Sequence, residues 1–223
     1  MPRGPRCILP GLPHHALQRG NNRGVIFHNQ ADKEYFLDNL KKSSFENKVA
    51  IGAYCLMSNH FHLLLYPESK EGFIRFMKYI SQIYSQHFNR IYKRTGKLWE
   101  NRYKLNIVDP EFEWVISRYI EQNPVRAGMV RAAEEYQYSS ARMNLEGGRD
   151  EIVTKDIVKG KRDKYKEFFS ENTPESRKLL LRLREVTQQE KVFGGADFIR
   201  QLETQTKLFL GVRVRGRPRK EGK

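Results

Sequence analysis

Residues 48 to 66 constrain the fold of this chain more than any other stretch. Two apolar runs rich in β-forming residues, Val49 to Met57 and His60 to Tyr66, are interrupted only by Ser58 and Asn59. That pattern predicts a β-hairpin whose second strand opens with His60, Phe61 and His62. Side chains alternate across a strand, so His60 and His62 share one face, roughly 7 Å apart at the backbone, while Phe61, Leu63 and Leu65 face the other way. Two imidazoles inside an apolar strand are costly to desolvate unless something engages them. The pair therefore reads as metal-ligand spacing that needs a third partner.

The rest of the chain supplies elements around this hairpin. His14 to Arg19 reads as a first strand, followed by the turn-rich Gly20, Asn21, Asn22, Arg23, Gly24, either a backbone approach to phosphate or a plain connector. Asp32 to Glu46 carries Tyr35, Phe36, Leu37, Leu40 and Phe45 near a helical period and should pack on the sheet. Phe73, Phe76, Met77, Ile80, Ile83, Tyr84, Phe88 and Ile91 mark a long amphipathic helix. Arg102 to Val108 alternates as a fourth strand, and a helix is expected from about Phe112 to Glu121. The resulting order, β-α-β-β-α-β-α, predicts an α+β protein with a ferredoxin-like split βαβ antiparallel sheet and an added helix bearing a tyrosine. On that helix Tyr119 and Asn123 stand four residues apart and project together, with Pro124 placing the pair at a helix end. A tyrosine packed on the sheet and an asparagine ending a helix would leave the same pattern.

Charge points to a polyanionic partner. The 223 residues carry 41 Lys and Arg against 26 Asp and Glu, a formal net charge of +15, and the first acidic residue is Asp32. Residues 70 to 104 hold nine Lys or Arg against Glu71 and Glu100, with Tyr79, Tyr92, Trp99 and Tyr103 interleaved, a mixture suited to a nucleic-acid backbone and stacked bases or simply to a solvated basic face. Candidate DNA contacts are Arg19, Arg23, Arg90, Lys93, Arg94, Arg102, Lys104, Arg215, Arg217 and Arg219. The last three lie in Gly216, Arg217, Pro218, Arg219, Lys220 and its flank, similar to an AT-hook core, although a generic basic tail that raises DNA affinity is the preferred reading. Only Cys7 and Cys55 are present, which disfavours a disulfide framework or a cysteine zinc site. No run approaches the roughly 18 apolar residues of a membrane span and the start lacks a signal-peptide core, so a cytoplasmic, nucleoid-associated protein with no membrane partner is expected.

His60 to His62, Tyr119 with Asn123, and the run Tyr119 to Val130 together resemble the single-tyrosine HUH transposases, in particular the REP-associated tyrosine transposases. Further echoes are His15 to Asn21, Met57 to Leu64, Leu98 to Lys104 and Tyr138 to Ser140, so the resemblance spans roughly residues 10 to 145 in family-like order. It implies a metal-dependent endonuclease that cleaves and rejoins single-stranded DNA next to imperfect palindromes. Tyr119 would be the nucleophile, His60 and His62 paired ligands for Mg2+ or Mn2+, and Asn123, where relatives place Gln, the third ligand. Relatives act as monomers or as homodimers that exchange the tyrosine helix. A hairpin-binding protein that does not cut, or a replication-initiator or relaxase-type nickase, are the rival readings.

On this reading residues 1 to 145 form the nuclease domain and 146 to 172 a linker or irregular segment. Residues 173 to 210 are a helical extension, either DNA-binding or a packing appendage, and 211 to 223 a basic tail. Thr173, Pro174 and Glu175 signal a helix start, with Leu179, Leu180, Leu183 and Val186 on its apolar face. A second helix after Gly194 and Gly195 would carry Phe198, Ile199, Leu202 and Phe209.

Overall fold

Four strands, β1 (His14–Arg19), β2 (Val49–Leu56), β3 (His60–Pro67) and β4 (Lys104–Ile107), form one sheet in the order β2-β3-β1-β4. Every pairing is antiparallel. Helices α1 (Gln30–Asn47) and α2 (Lys70–Ile91) make the crossovers from β1 to β2 and from β3 to β4, the split βαβ arrangement expected from the sequence. These features belong to a computed structural model, which describes residues 6–212.

Local chemistry sets the helix ends. The Asn29 side chain accepts a hydrogen bond from Asp32 N and caps α1, whose last turn closes on Lys48 in the left-handed conformation. Ser69 caps α2 in the same way through Gly72 N. From α1, Phe36 and Leu40 pack on one sheet face; from α2, Phe73, Phe76, Met77, Ile80, Tyr84 and Phe88 join them. Each large apolar side chain buried here contributes roughly 1.5–3 kcal/mol. Phe45 departs from the expected stripe: it is 88% exposed, because Ser44 occupies the inward position and one further residue turns the helix by about 100° to solvent. Ile91, the last residue of α2, is likewise exposed.

The opposite face is covered by later elements. Helix α3 (Glu113–Glu121) packs on β2 and β3, and a short α4 (Asn123–Arg126) follows it. Asn123 thus begins a helical turn with Pro124 in its first positions, rather than ending a helix. After α5 (Ala141–Glu146), the segment expected to be linker or irregular contains α6 (Arg162–Ser170). Tyr165 of α6 is fully buried against Trp114 of α3, with ring centroids 5.3 Å apart, so this part of the chain belongs to the packed structure. The sequence there lacks a long apolar run, and its helix is held by contacts with residues far away in the chain.

Helix α7 (Pro174–Gln189) starts at the Thr173 cap, whose side chain accepts from Ser176 N, as its sequence indicates. It packs on β4, where the Asn106 side-chain amide donates to the carbonyls of Val186 (3.0 Å) and Lys191 (2.8 Å). Leu183, Val186 and Phe193 join the same continuous core as the strands, while α8 (Ala196–Thr206) adds Leu202 to a smaller cluster with Ile107, Val192 and Leu210. Phe209 lies past the end of α8 and is exposed. No helix among the described residues is long and apolar enough to cross a membrane.

Candidate active site

The site forms on the α3 side of the sheet. Strand register places Leu17 opposite His62 and Arg19 opposite His60, so His15, Leu17 and Arg19 of β1 share the histidine face of β3. His60 and His62 meet at 5.1 Å between ring centroids, nearly perpendicular. His15 Nε2 lies 2.8 Å from His62 Nδ1, and the two rings are coplanar within 6°. His60 is held on its other flank by Asn59, with 2.6 Å between its Nδ1 and the Asn59 Oδ1. Among the described residues, neither His60 nor His62 makes a hydrogen bond through Nε2.

Burial keeps these rings neutral. His15 is fully buried and its pKa falls to about 4 by desolvation alone. His60 falls to about 4 as well, by desolvation and then by the nearby Arg19 and Arg126 charges. His62, 2% exposed, is driven well below its ordinary value, first by burial and then by its histidine neighbours and Arg126. Neutral imidazoles present lone pairs, the state in which they act as ligands.

Tyr119 descends onto this cluster from α3. Its ring stands edge-on to His62 at 5.5 Å and to His15 at 5.9 Å, and it is 9% exposed. Val115, Ile116 and Ile120 anchor the helix in the core. Asn123, half-buried, turns its amide nitrogen back onto the carbonyls of Tyr119 and Ile120, both at 3.0 Å, which directs Oδ1 as the acceptor left for another partner. Arg126 spans the same turn: it donates to the Tyr119 carbonyl at 2.7 Å and lays its guanidinium 4.7 Å from the centre of the Tyr119 ring. Arg126 and His15 are site residues absent from the sequence-based set. Arg126 is two helical turns after Tyr119, and that spacing is the signal that points to it.

A family model for IS200-like transposases matches residues 10–123, which takes in all four strands, both crossover helices, the histidine pair and Tyr119, and ends on Asn123. The chain belongs to the IS200-like transposase family. The fold of this transposase is similar to that of a REP-associated tyrosine transposase solved bound to a REP hairpin, with a TM-score of 0.53 and 17% identity, over 70% of this chain and 93% of that one. A candidate transposase from Deinococcus radiodurans R1 aligns with a TM-score of 0.38 and 20% identity, over 55% of this chain and 97% of its own. No curated protein matches the chain.

The basic residues of the transposase fall into separate groups. Arg19, Arg102 and Lys104 line one cleft of about 240 Å³ with Leu17 and Glu100, and Arg19 is ion-paired to Glu100 at 2.7 Å. Arg23 is exposed in the 20–24 loop. That loop is bonded to the hairpin turn, Gly20 N to Asn59 O at 2.9 Å and Asn59 Nδ2 to Arg23 O at 3.0 Å, so it buttresses the histidine strand. A Cβ on Gly20 would meet Gly24 O at 2.3 Å, so the backbone approach there requires glycine. Arg90, Lys93 and Arg94 are exposed around the end of α2. Arg215, Arg217 and Arg219, with the AT-hook-like segment, lie outside the described residues.

The interleaved aromatics are half-buried and pack against the core from outside. Trp99 Nε1 donates to Ser81 O, Tyr79 to Asn39 Oδ1 and Tyr92 to Asp32 Oδ2, while Tyr103 lies beneath the Arg6 guanidinium. Glu121, two residues beyond the tyrosine, is fully buried and faces away from the site. Its carboxylate accepts from Ser140, Asn144 and Tyr165 at 2.6–2.8 Å, and burial raises its pKa against the pull of those donors.

Proposed function

We propose that this IS200-like transposase cleaves and rejoins single-stranded DNA beside hairpins through a 5′-phosphotyrosine on Tyr119. The observation that carries this reading is the edge-on seating of the Tyr119 ring against His15 and His62, the second of which packs on His60. A tyrosine needed only for packing has no use for two neutral histidines against its ring. The hairpin bound by the structurally similar REP-associated transposase supports the choice of DNA. The excess of basic residues supports a nucleic-acid strand as substrate.

In the chemical step Tyr119 Oη attacks phosphorus. The new P–Oη bond forms as the bond from phosphorus to the 3′ oxygen breaks, the phenolic proton is lost to solvent, and the 3′ oxygen leaves as a hydroxyl after taking up a proton. The reverse attack by a 3′-hydroxyl on the phosphotyrosine rejoins strands, so bond energy is conserved. A phenol of pKa about 10 is a weak nucleophile at neutral pH. Arg126, whose guanidinium lies 4.7 Å from the centre of the Tyr119 ring, sets a positive charge beside the nucleophile that suits an anionic phosphate.

Among the described residues, no group of three or more His, Cys, Asp or Glu side chains is arranged to hold a metal ion. A mixed donor set is what remains: His60 and His62 through Nε2, with Asn123 Oδ1 as the third donor, would hold a divalent ion, magnesium or manganese. When bound, such an ion neutralises charge on the scissile phosphate.

Denaturing electrophoresis of the protein with labelled hairpin oligonucleotides, with Mn2+ and with EDTA, tests the reading. The expected outcome is a Mn2+-dependent adduct that survives denaturation and falls on the order of 10³-fold or more in Tyr119→Phe, with native-gel hairpin binding retained. Hairpin binding without any adduct from the wild type would instead indicate a non-cutting binder.

A further inference from the structure

We propose that His15 is a positioning residue: by accepting the Nδ1 proton of His62 on its own Nε2, it holds the Nε2 lone pair of His62 outward for a divalent ion. This rests on the metal-dependent reading above and adds to it a residue, a proton arrangement and a link to the C-terminal helix.

The geometry is specific to a hydrogen bond. With 2.8 Å between the nitrogens, 5.1 Å between centroids and 6° between planes, the two rings lie edge to edge in one plane, each nitrogen aimed along the other's lone-pair direction. Two neutral imidazoles so joined have only two arrangements. If His15 donates, the His62 proton sits on Nε2 and that atom cannot ligate. If His62 donates, its Nε2 carries a lone pair and the His15 proton sits on Nδ1.

The far side of His15 favours the second arrangement. His15 Nδ1 is buried without a partner, as is Oδ1 of Asn106. The two residues are directly paired across β1 and β4 and therefore share the same sheet face. Asn106 has its amide nitrogen committed to Val186 O and Lys191 O, so its Oδ1 is necessarily an acceptor, and the complementary group on His15 is an Nδ1–H donor. A small side-chain movement would join Asn106, His15 and His62 in one polarised row. A buried unpaired polar atom costs roughly 1–3 kcal/mol, so an apolar residue at position 15 would serve a purely structural role better. Because Val186 and Lys191 lie on and just after α7, a helix beyond the family-matched region orients the outermost member of the row.

Two measurements test this without reference to turnover. Nitrogen-15 spectra of the histidine-labelled, metal-free protein are expected to show the His62 proton on Nδ1. Titration calorimetry with Mn2+ is expected to show roughly 10–100-fold weaker binding for His15→Leu and substantial recovery for His15→Gln, whose carbonyl can accept the same proton. Hairpin binding in EDTA, which needs no metal ligand, should be retained in both variants. His62 protonated on Nε2, or Mn2+ affinity of His15→Leu within twofold of wild type, would overturn the inference while leaving the metal reading intact. Wild-type protein that binds no Mn2+ would overturn both. The spectra use the unaltered chain, so the inference stays open to refutation even if His15→Leu fails to fold.

Discussion

The two faces of the central sheet are equally dry but chemically opposite. On the α1 and α2 side, Ala16, Phe61, Leu63 and Leu65 meet Phe36, Phe73, Phe76 and Tyr84 with essentially no exposure. On the α3 and α7 side, His15, His62 and Asn106 are buried to the same extent. Burial of apolar area drives folding on the first face, whereas each polar group on the second must be desolvated and paired. One side of the sheet supplies stability that allows the other to hold a histidine row and a tyrosine in fixed positions.

The contrast is sharpest in large-to-small substitutions. Phe36→Ala, on the apolar face, is expected to lose about 3–5 kcal/mol in urea unfolding, since it leaves a cavity among Phe27, Phe61 and Tyr84. A loss below about 1 kcal/mol would mean that this face is not the source of stability. Acid is a gentler probe of the polar groups. His15 and His60 have folded pKa values near 4, below the ordinary value near 6.5, so the unfolded chain binds more protons between these limits. Stability is therefore full above pH 6.5 and falls as the pH is lowered towards 4, with a limiting slope of about 1.4 kcal/mol per pH unit for each fully shifted histidine. His14, buried on the other face, adds to the same slope. Urea midpoints that stay level or rise on acidification across this range would contradict the burial of these rings. The smallest effect on stability is expected for the double variant His15→Leu/His62→Leu, within about 1 kcal/mol of wild type in either direction, because replacing both hydrogen-bonded rings by apolar residues removes their desolvation cost together with the bond. DNA cleavage by the same variant should be lost. A severe loss of stability would show that the histidine row is structural.

Much of the fold could be read from local patterns. β1 begins and ends where the alternation of His14 to Arg19 does, the hairpin breaks at Ser58 and Asn59, and α2 and α7 follow their apolar stripes and caps. Such signals depend on residues a few positions apart. The missing pieces depend on partners distant in sequence. Nothing near Tyr165 announces that it will reach Glu121, and the helix carrying it sits in a stretch whose composition suggests a linker. Phe45 looks like a core residue by type and is turned to solvent by its helix phase. Trp99 and Tyr92 look like stacking groups by their basic surroundings, yet their polar atoms are committed to Ser81 and Asp32.

The site divides along the same line. His60 and His62 are paired by the two-residue period of a single strand, and Tyr119 and Asn123 by one helical turn, so both pairs were determined by the sequence alone. That Tyr119 comes to lie against His62 was decided by the tertiary structure, in which α3 packs on β2 and β3. The placement of His15 beside His62 was likewise set by the antiparallel register of β1 against β3, which joins residues 47 positions apart. Short-range periodicity tells a chain which side chains travel together; only the packing of one element on another decides which of them meet.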